Sequence, residues 1–200
     1  MGGFFMTIAF VLGNGVSRQS IDPSLLASLG STYGCNAIFR EFAPSVLIST
    51  DVPISKHIQQ SGYSQHNVHY TRKPMANLGS RKIPQKYYGF SSGPVATAIA
   101  ALDRHQRVYL VGFDMGPTPT GQFNNVYAGT EFYKKPSASP TYTGNWVRQL
   151  TSIAHDFSRV QFVRVQGPTT ASIPELSNIV NFTHMPMADF FDRINNTKDL

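Results

Sequence analysis

Phe4-Phe5-Met6-Thr7-Ile8-Ala9-Phe10-Val11-Leu12-Gly13-Asn14-Gly15-Val16-Ser17 is an apolar run that breaks at Gly-Asn-Gly and closes on a serine. Its length fits a buried β-strand, and the glycines after it permit the tight turn and close backbone approach of a phosphate cradle. The run is therefore expected to be the first strand of an α/β sheet, emptying into a ligand site. Open parallel sheets bind ligands beyond the carboxyl ends of their strands, which puts Asn14, Gly15 and Ser17 where such a site belongs. Taken alone, the motif also fits a strand ending in an ordinary turn. It is not the dinucleotide fingerprint, because the third glycine of G-x-G-x-x-G falls on Arg18.

Outward from this strand, Ser20 to Leu29 carries a helix start at Ser20 or Asp22, a first-turn proline at Pro23 and a stop at Gly30. Thr32 to Phe39 holds a second expected strand around Cys35-Asn36-Ala37-Ile38-Phe39, and Ser45 to Ser49 a third, ending in Thr50-Asp51. Asn36 and Asp51 thus stand at strand ends. Either residue type also suits a plain turn, through its own local hydrogen bonds. The functional argument is convergence: in a parallel sheet these ends share one edge with Asn14.

The second informative block runs from Tyr87 to Asp114. Ser91-Ser92-Gly93 leads into the alanine-rich helix Pro94 to Leu102, and Arg107 to Val111 follows as an apolar strand with Asp114 just beyond it. A buried helix whose start is preceded by Ser91, Ser92 and Gly93 offers hydroxyls and free N–H groups to an anion. A serine cap with no ligand is the other reading of the same residues.

Two stretches, about 54–86 and 115–143, read as irregular excursions from a single domain spanning 1–200, and segments this long tend to cover a site. A short helix at Ile54 to Gln60 and a strand at Asn67 to Tyr70 are expected in the first. His66 and His69 lie there without acidic neighbours, which fits a surface loop rather than a metal site. Gly144 to Phe157 shows a helical apolar face, Val160 to Val165 reads as a strand, and Ile173 to Phe182 and Met187 to Ile194 as short helices.

The 200 residues are 41% hydrophobic and 14% charged, enough for a real core and too apolar for disorder. The net charge of +6 suits a pocket for an anionic small molecule; the basic residues are dispersed, with a loose group at Arg72, Lys73, Arg81, Lys82 and Lys86, so no nucleic-acid partner is expected. The lone Cys35 excludes an internal disulfide and a cysteine-based zinc site. No stretch approaches the ~20 apolar residues that span a bilayer, and the amino terminus lacks a basic leader, so a cytoplasmic protein without membrane insertion is expected.

Taken together, Gly13-Asn14-Gly15-Val16-Ser17, Ile21 to Leu25, Cys35 to Phe39, and Ser91-Ser92-Gly93 with Tyr109 to Asp114 resemble bacterial sialyltransferases that use CMP-sialic acid. The Gly-Asn-Gly-x-Ser opening is also similar to that of motility-associated glycosylation factors and archaeal-type hydroxymethylpterin diphosphokinases. The resemblance covers most of the chain up to Asp114. It implies a three-layer α/β/α Rossmann-like fold with a mostly parallel sheet, and a CMP-type nucleotide sugar as donor, contacted by Asn14, Asn36 and Ser92. The partner would be a glycan or another hydroxyl acceptor, and oligomers are compatible with the sequence.

Three departures qualify that likeness. Ser139 to Gly144 lacks the histidine that serves bacterial relatives as general base, and His105 or His155 would have to come in by another geometry. Met115-Gly116-Pro117 lacks the tyrosines that stabilise the leaving phosphate, a task left to Lys134, Lys135 or Tyr142. Asp51 replaces an expected asparagine and points to the kinase-like branch, in which Asp51 and Asp114 would hold Mg²⁺. The nucleotide-binding set is Asn14, Gly15, Ser17, Asn36, Asp51, Ser91, Ser92, Gly93 and Asp114, with no catalytic residue or resident metal assigned. Three functions stay open: a sialyltransferase-like glycosyltransferase, a Mg²⁺-dependent diphosphokinase-like enzyme, and a non-catalytic nucleotide- or glycan-binding module.

Overall fold

The computed structural model describes residues 7–196, so Phe4, Phe5 and Met6 of the opening run lie outside the described residues. The chain passes through β1 (Ile8–Leu12), α1 (Pro23–Leu29), β2 (Ser31–Cys35), β3 (Val46–Ser49), α2 (Val52–Gln60), α3 (Tyr63–His66), β4 (His69–Thr71) and β5 (Arg81–Lys82). It continues through α4 (Ser92–Leu102), β6 (Arg107–Val111), α5 (Gly144–Asp156), β7 (Gln161–Gln166), α6 (Pro174–Ser177), β8 (Phe182–Pro186) and α7 (Met187–Asn195). All eight strands form one sheet in the order β5-β4-β3-β2-β1-β6-β7-β8, and every neighbouring pair is parallel.

β1 is buried along its whole length because both sheet faces are covered. Side chains alternate across a strand, so Ala9 and Val11 join the core under α4 and α5, while Phe10 and Leu12 join the core under α1, α2 and α7. Phe10 stacks on Tyr109 with ring centroids 5.5 Å apart and meets Phe190 edge-on at 6.2 Å. Small residues let α4 lie close on the sheet: Ala96, Ala98 and Ala100 are fully buried. The result is the three-layer α/β/α Rossmann-like architecture that the sequence predicts.

Several elements differ from expectation. The second strand ends at Cys35, and Asn36–Arg40 forms a 3₁₀ turn instead of strand; Asn36 takes a left-handed φ of 53°, which no strand can contain. The stretch 54–86 is far more ordered than an excursion, since it carries α3, β4 and β5 and widens the sheet by two strands. His69 belongs to β4 and is wholly buried, so it does not sit on a surface loop. Ile173 to Phe182 contains only the short α6 before β8 starts, and β8 forms the other edge of the sheet. The stretch 115–143 does consist of turns and bends, and no helix of the described residues is long and apolar enough to cross a membrane.

Candidate functional site

From β1 the chain steps one way through β2 to β5, then returns to lay β6 on the other side of β1. The loops after β1 and β6 therefore diverge at a topological switch point, where a crevice opens beyond the strand ends. A cavity of about 470 Å³ lies there. The glycines of the first loop serve the contact between these two loops. Gly13 N and Gly15 N donate to the carbonyls of Val111 and Gly112, each at 2.8 Å. A Cβ at Gly15 would stand 2.5 Å from Asp114 Cγ, and one at Gly13 would stand 2.6 Å from the Gly112 carbonyl oxygen. Val16 N binds Asn124 Oδ1 at 2.9 Å and Ser17 N binds Asp114 Oδ2 at 3.0 Å. With these N–H groups engaged by protein, the first loop is a packing device rather than the phosphate cradle expected of it.

Free donors lie instead at the start of α4. The backbone N–H groups of Ser92 and Gly93 are first-turn donors without an intrahelical partner. The side chain of Ser91 makes no cap bond, and its own N–H donates to Gln149 Oε1 at 2.9 Å. The Ser92 hydroxyl, by contrast, is saturated: it donates to Asn36 Oδ1 at 3.0 Å and accepts from Thr50 N at 3.1 Å and Thr50 Oγ1 at 2.9 Å. Its task is to position. It orients the Asn36 amide so that Nδ2 is left without a hydrogen-bond acceptor among the described residues. Asn14 Nδ2 donates to Cys35 O at 3.4 Å and Tyr133 Oη at 3.3 Å, and its Oδ1 is buried without a partner among the described residues.

The acidic residues divide sharply. Asp114 is buried and accepts from Ser17 N, Ser17 Oγ and Thr169 Oγ1, so its carboxylate holds the two loops together. Beneath it the fully buried Arg164 donates to the carbonyls of Phe113, Asp114 and Ala171 at 2.8–2.9 Å, and burial pulls the guanidinium down to about 10. Asp51 is exposed at the N-cap of α2, yet its side chain makes no cap bond. Pro53 supplies no N–H for it to bind. Among the described residues, no group of three or more His, Cys, Asp or Glu could hold a metal ion.

The irregular stretch crosses the cavity. Val126 N donates to Asn14 O at 2.8 Å, and Tyr133 Oη sits 3.3 Å from both Asn14 Nδ2 and Ala37 N; burial pushes its phenol up to about 12. Arg40 grips Thr130 Oγ1 and Glu131 O, while Arg18 and Glu41 share Tyr127 Oη. Lys134 lines the cavity and places its ammonium 5.7 Å over the Phe123 ring. Arg72 also lines it, with Nε and Nη2 each 2.8 Å from the carbonyls of Tyr88 and Phe90.

Of the residues named from sequence, Asn14, Gly15, Asn36, Asp51, Ser91, Ser92, Gly93 and Asp114 line this cavity, and Ser17 lies beneath it on Asp114. Lys135 and Tyr142 do not line it, and neither does any histidine of the described residues. No family model and no curated protein matches this sequence. The chemistry of the site is accordingly argued from its geometry. Sequence reasoning missed Thr50, Arg72, Asn124, Tyr133 and Trp146 as lining residues. Arg72 stood out only as one of a loose basic group, and Tyr133 lies in a stretch with no period to place it.

Proposed function

We propose that the chain is a sialyltransferase-like glycosyltransferase, or a relative that keeps only the binding cavity, and that it takes a CMP-type nucleotide sugar at the β1–β6 switch point. The observation that carries this reading is the convergence of Asn14, Asn36 and the first turn of α4 on one cavity. Its volume of about 470 Å³ suits a small organic ligand. The free Asn36 Nδ2 matches a base edge or a ribose oxygen, and the Ser92 and Gly93 N–H groups match phosphate oxygens without calling for a metal. In this reading the proton of a glycan or other hydroxyl acceptor passes to Asp51, the lining carboxylate that has no hydrogen-bond partner among the described residues.

Calorimetric titration with CMP, CTP, GMP and ATP, with and without Mg²⁺, tests the proposal. Metal-independent binding of CMP that is lost in Asn36→Ala is the expected result; absence of any cytidine-nucleotide binding would overturn it. Turnover of CMP-sialic acid then separates an enzyme from a non-catalytic module. The unbonded carboxylate of Asp51 favours a second reading, a Mg²⁺-dependent diphosphokinase-like enzyme, whose signature is Mg²⁺-dependent ATP binding lost in Asp51→Ala. Asp114 could join that metal only by releasing Ser17 and Thr169.

A further inference from the structure

We infer that Arg72 is the anion-reading residue of the cavity, holding a phosphate-class group through Nη1 beside the first turn of α4. This deepens the nucleotide reading and rests on it only for the nucleoside half of the ligand. Three observations lead there. The guanidinium is fixed before any ligand arrives, because Nε and Nη2 donate to the carbonyls of Tyr88 and Phe90, in the loop that enters α4. Nη1 has no protein acceptor among the described residues, and the side chain lines the cavity while being partly buried. Among the described residues, no carboxylate lies within ion-pair distance of Arg72, in contrast to Arg18, which pairs with Glu41, and Lys86, which pairs with Asp156.

The surroundings add a reason for an anion. The start of α4 carries the positive end of the helix dipole and the unpaired N–H groups of Ser92 and Gly93. A guanidinium anchored to residues 88 and 90 sits next to that end, so two positive features share one wall. Of the carboxylates lining the cavity, Asp114 is occupied by Ser17 and Thr169, and Asp51 makes no bond to Arg72. A phosphate oxygen placed between Nη1 and the α4 amides would meet both features at once. Two of the five guanidinium N–H groups are committed, and the pair formed by Nη1 and the second Nη2 N–H stays open to phosphate oxygens. Lys134 differs: it is exposed and rests over the Phe123 ring, with no bond that fixes its ammonium.

The test is calorimetric titration of the full chain with CMP, cytidine and inorganic pyrophosphate, comparing wild type, Arg72→Gln and, as a control, Lys56→Gln, an exposed cation of α2 that does not line the cavity. We expect Arg72→Gln to weaken CMP at least tenfold and abolish pyrophosphate binding while leaving cytidine unchanged. Lys56→Gln should move CMP by less than about threefold, as expected for a solvated charge. If Arg72→Gln binds CMP and pyrophosphate as wild type does, the inference is overturned and the nucleotide reading stands. If wild type binds pyrophosphate through Arg72 but neither CMP nor cytidine, the inference stands and the nucleotide reading falls. Equal loss of cytidine and CMP in Arg72→Gln would show that the residue only holds the loop, and absence of all three ligands from wild type would overturn both.

Discussion

Ser92 Oγ donates to Asn36 Oδ1 at 3.0 Å, a bond that joins the first turn of α4 to the turn after β2, 56 residues away in the chain. The same hydroxyl accepts two bonds from Thr50, so one oxygen ties together the ends of β2, β3 and the start of α4. Ser92→Ala removes all three bonds and strands buried groups of Thr50. It should cost about 1–3 kcal/mol in urea denaturation and weaken CMP through the released Asn36 amide. A variant with full stability and unchanged CMP affinity would refute this positioning role.

Asn36→Gly isolates the ligand contact from the backbone. The left-handed φ of 53° is free of steric strain for glycine, so this variant should lose only the Ser92 bond, about 1 kcal/mol, together with CMP affinity. Asn36→Ala should add a backbone cost of about 1–2 kcal/mol, which thermal denaturation can read directly.

The glycines offer a steric test with an internal control. A methyl group at Gly15 would meet Asp114 Cγ at 2.5 Å and the Gly112 carbonyl oxygen at 2.7 Å, whereas at Gly89 nothing lies within 4 Å. Gly15→Ala should destabilise by about 1–3 kcal/mol, or more if the loops cannot part. Gly89→Ala should be neutral or stabilise by up to about 1 kcal/mol. Equal midpoints for the two variants would contradict the packing role of the Gly-Asn-Gly loop.

His69 makes stability depend on pH. Its ring lies between Ser49 Oγ and Ser64 Oγ, both at 2.7 Å, and burial holds its pKa down to about 4 against an ordinary 6.5. The unfolded chain takes up this proton near pH 6.5 and the folded chain only near 4, so stability is full above that window and falls as pH drops through it. The loss by pH 4 is about 3 kcal/mol from this residue. His105 and His184, also lowered by burial, act in the same direction. Denaturation midpoints between pH 4 and 7 should therefore fall more steeply for wild type than for His69→Asn, and parallel curves would count against the assignment.

Arg164 supports the site from below. Arg164→Met would strand the carbonyls of Phe113 and Ala171, while Asp114 O keeps Ala171 N as donor, and should cost about 2–6 kcal/mol at about 1–3 kcal/mol per stranded acceptor. Thermal denaturation measures it, and a shift of less than about 1 kcal/mol would show that the carbonyls find other donors.

Much of this architecture is legible in the chain because buried parallel strands are written as plain apolar runs. β1 and β6 are such runs, and α4 is marked by its proline, its alanines and the serines before it. The edges were harder to read. β5 is only Arg81–Lys82, both exposed, and exists through pairing with β4; β8 is Phe-Thr-His-Met-Pro, with no alternation to mark it. The polar rim was found because Asn, Ser and Asp at strand ends are few and stand out. What they do there was not legible: the saturation of Ser92, the confinement of Asp114 and the spent N–H groups of Gly13 and Gly15 depend on partners about 40 to 100 residues distant. Arg72 was missed for the same reason, since only the folded loop at Tyr88 and Phe90 turns a scattered cation into a fixed one.

The Ser17–Asp114 contact joins residues 97 positions apart. During synthesis β1, β2 and β3 are complete long before β6 exists, so the turn after β1 must wait with its N–H groups facing water. The pocket is consequently a late product of folding and has no half-built form: a chain cut before β6 can pair its first strands but leaves Gly13, Gly15 and Ser17 without acceptors. Ligand that binds across this seam would tether the early and late halves of the chain to each other, and would slow unfolding by guarding the junction made last.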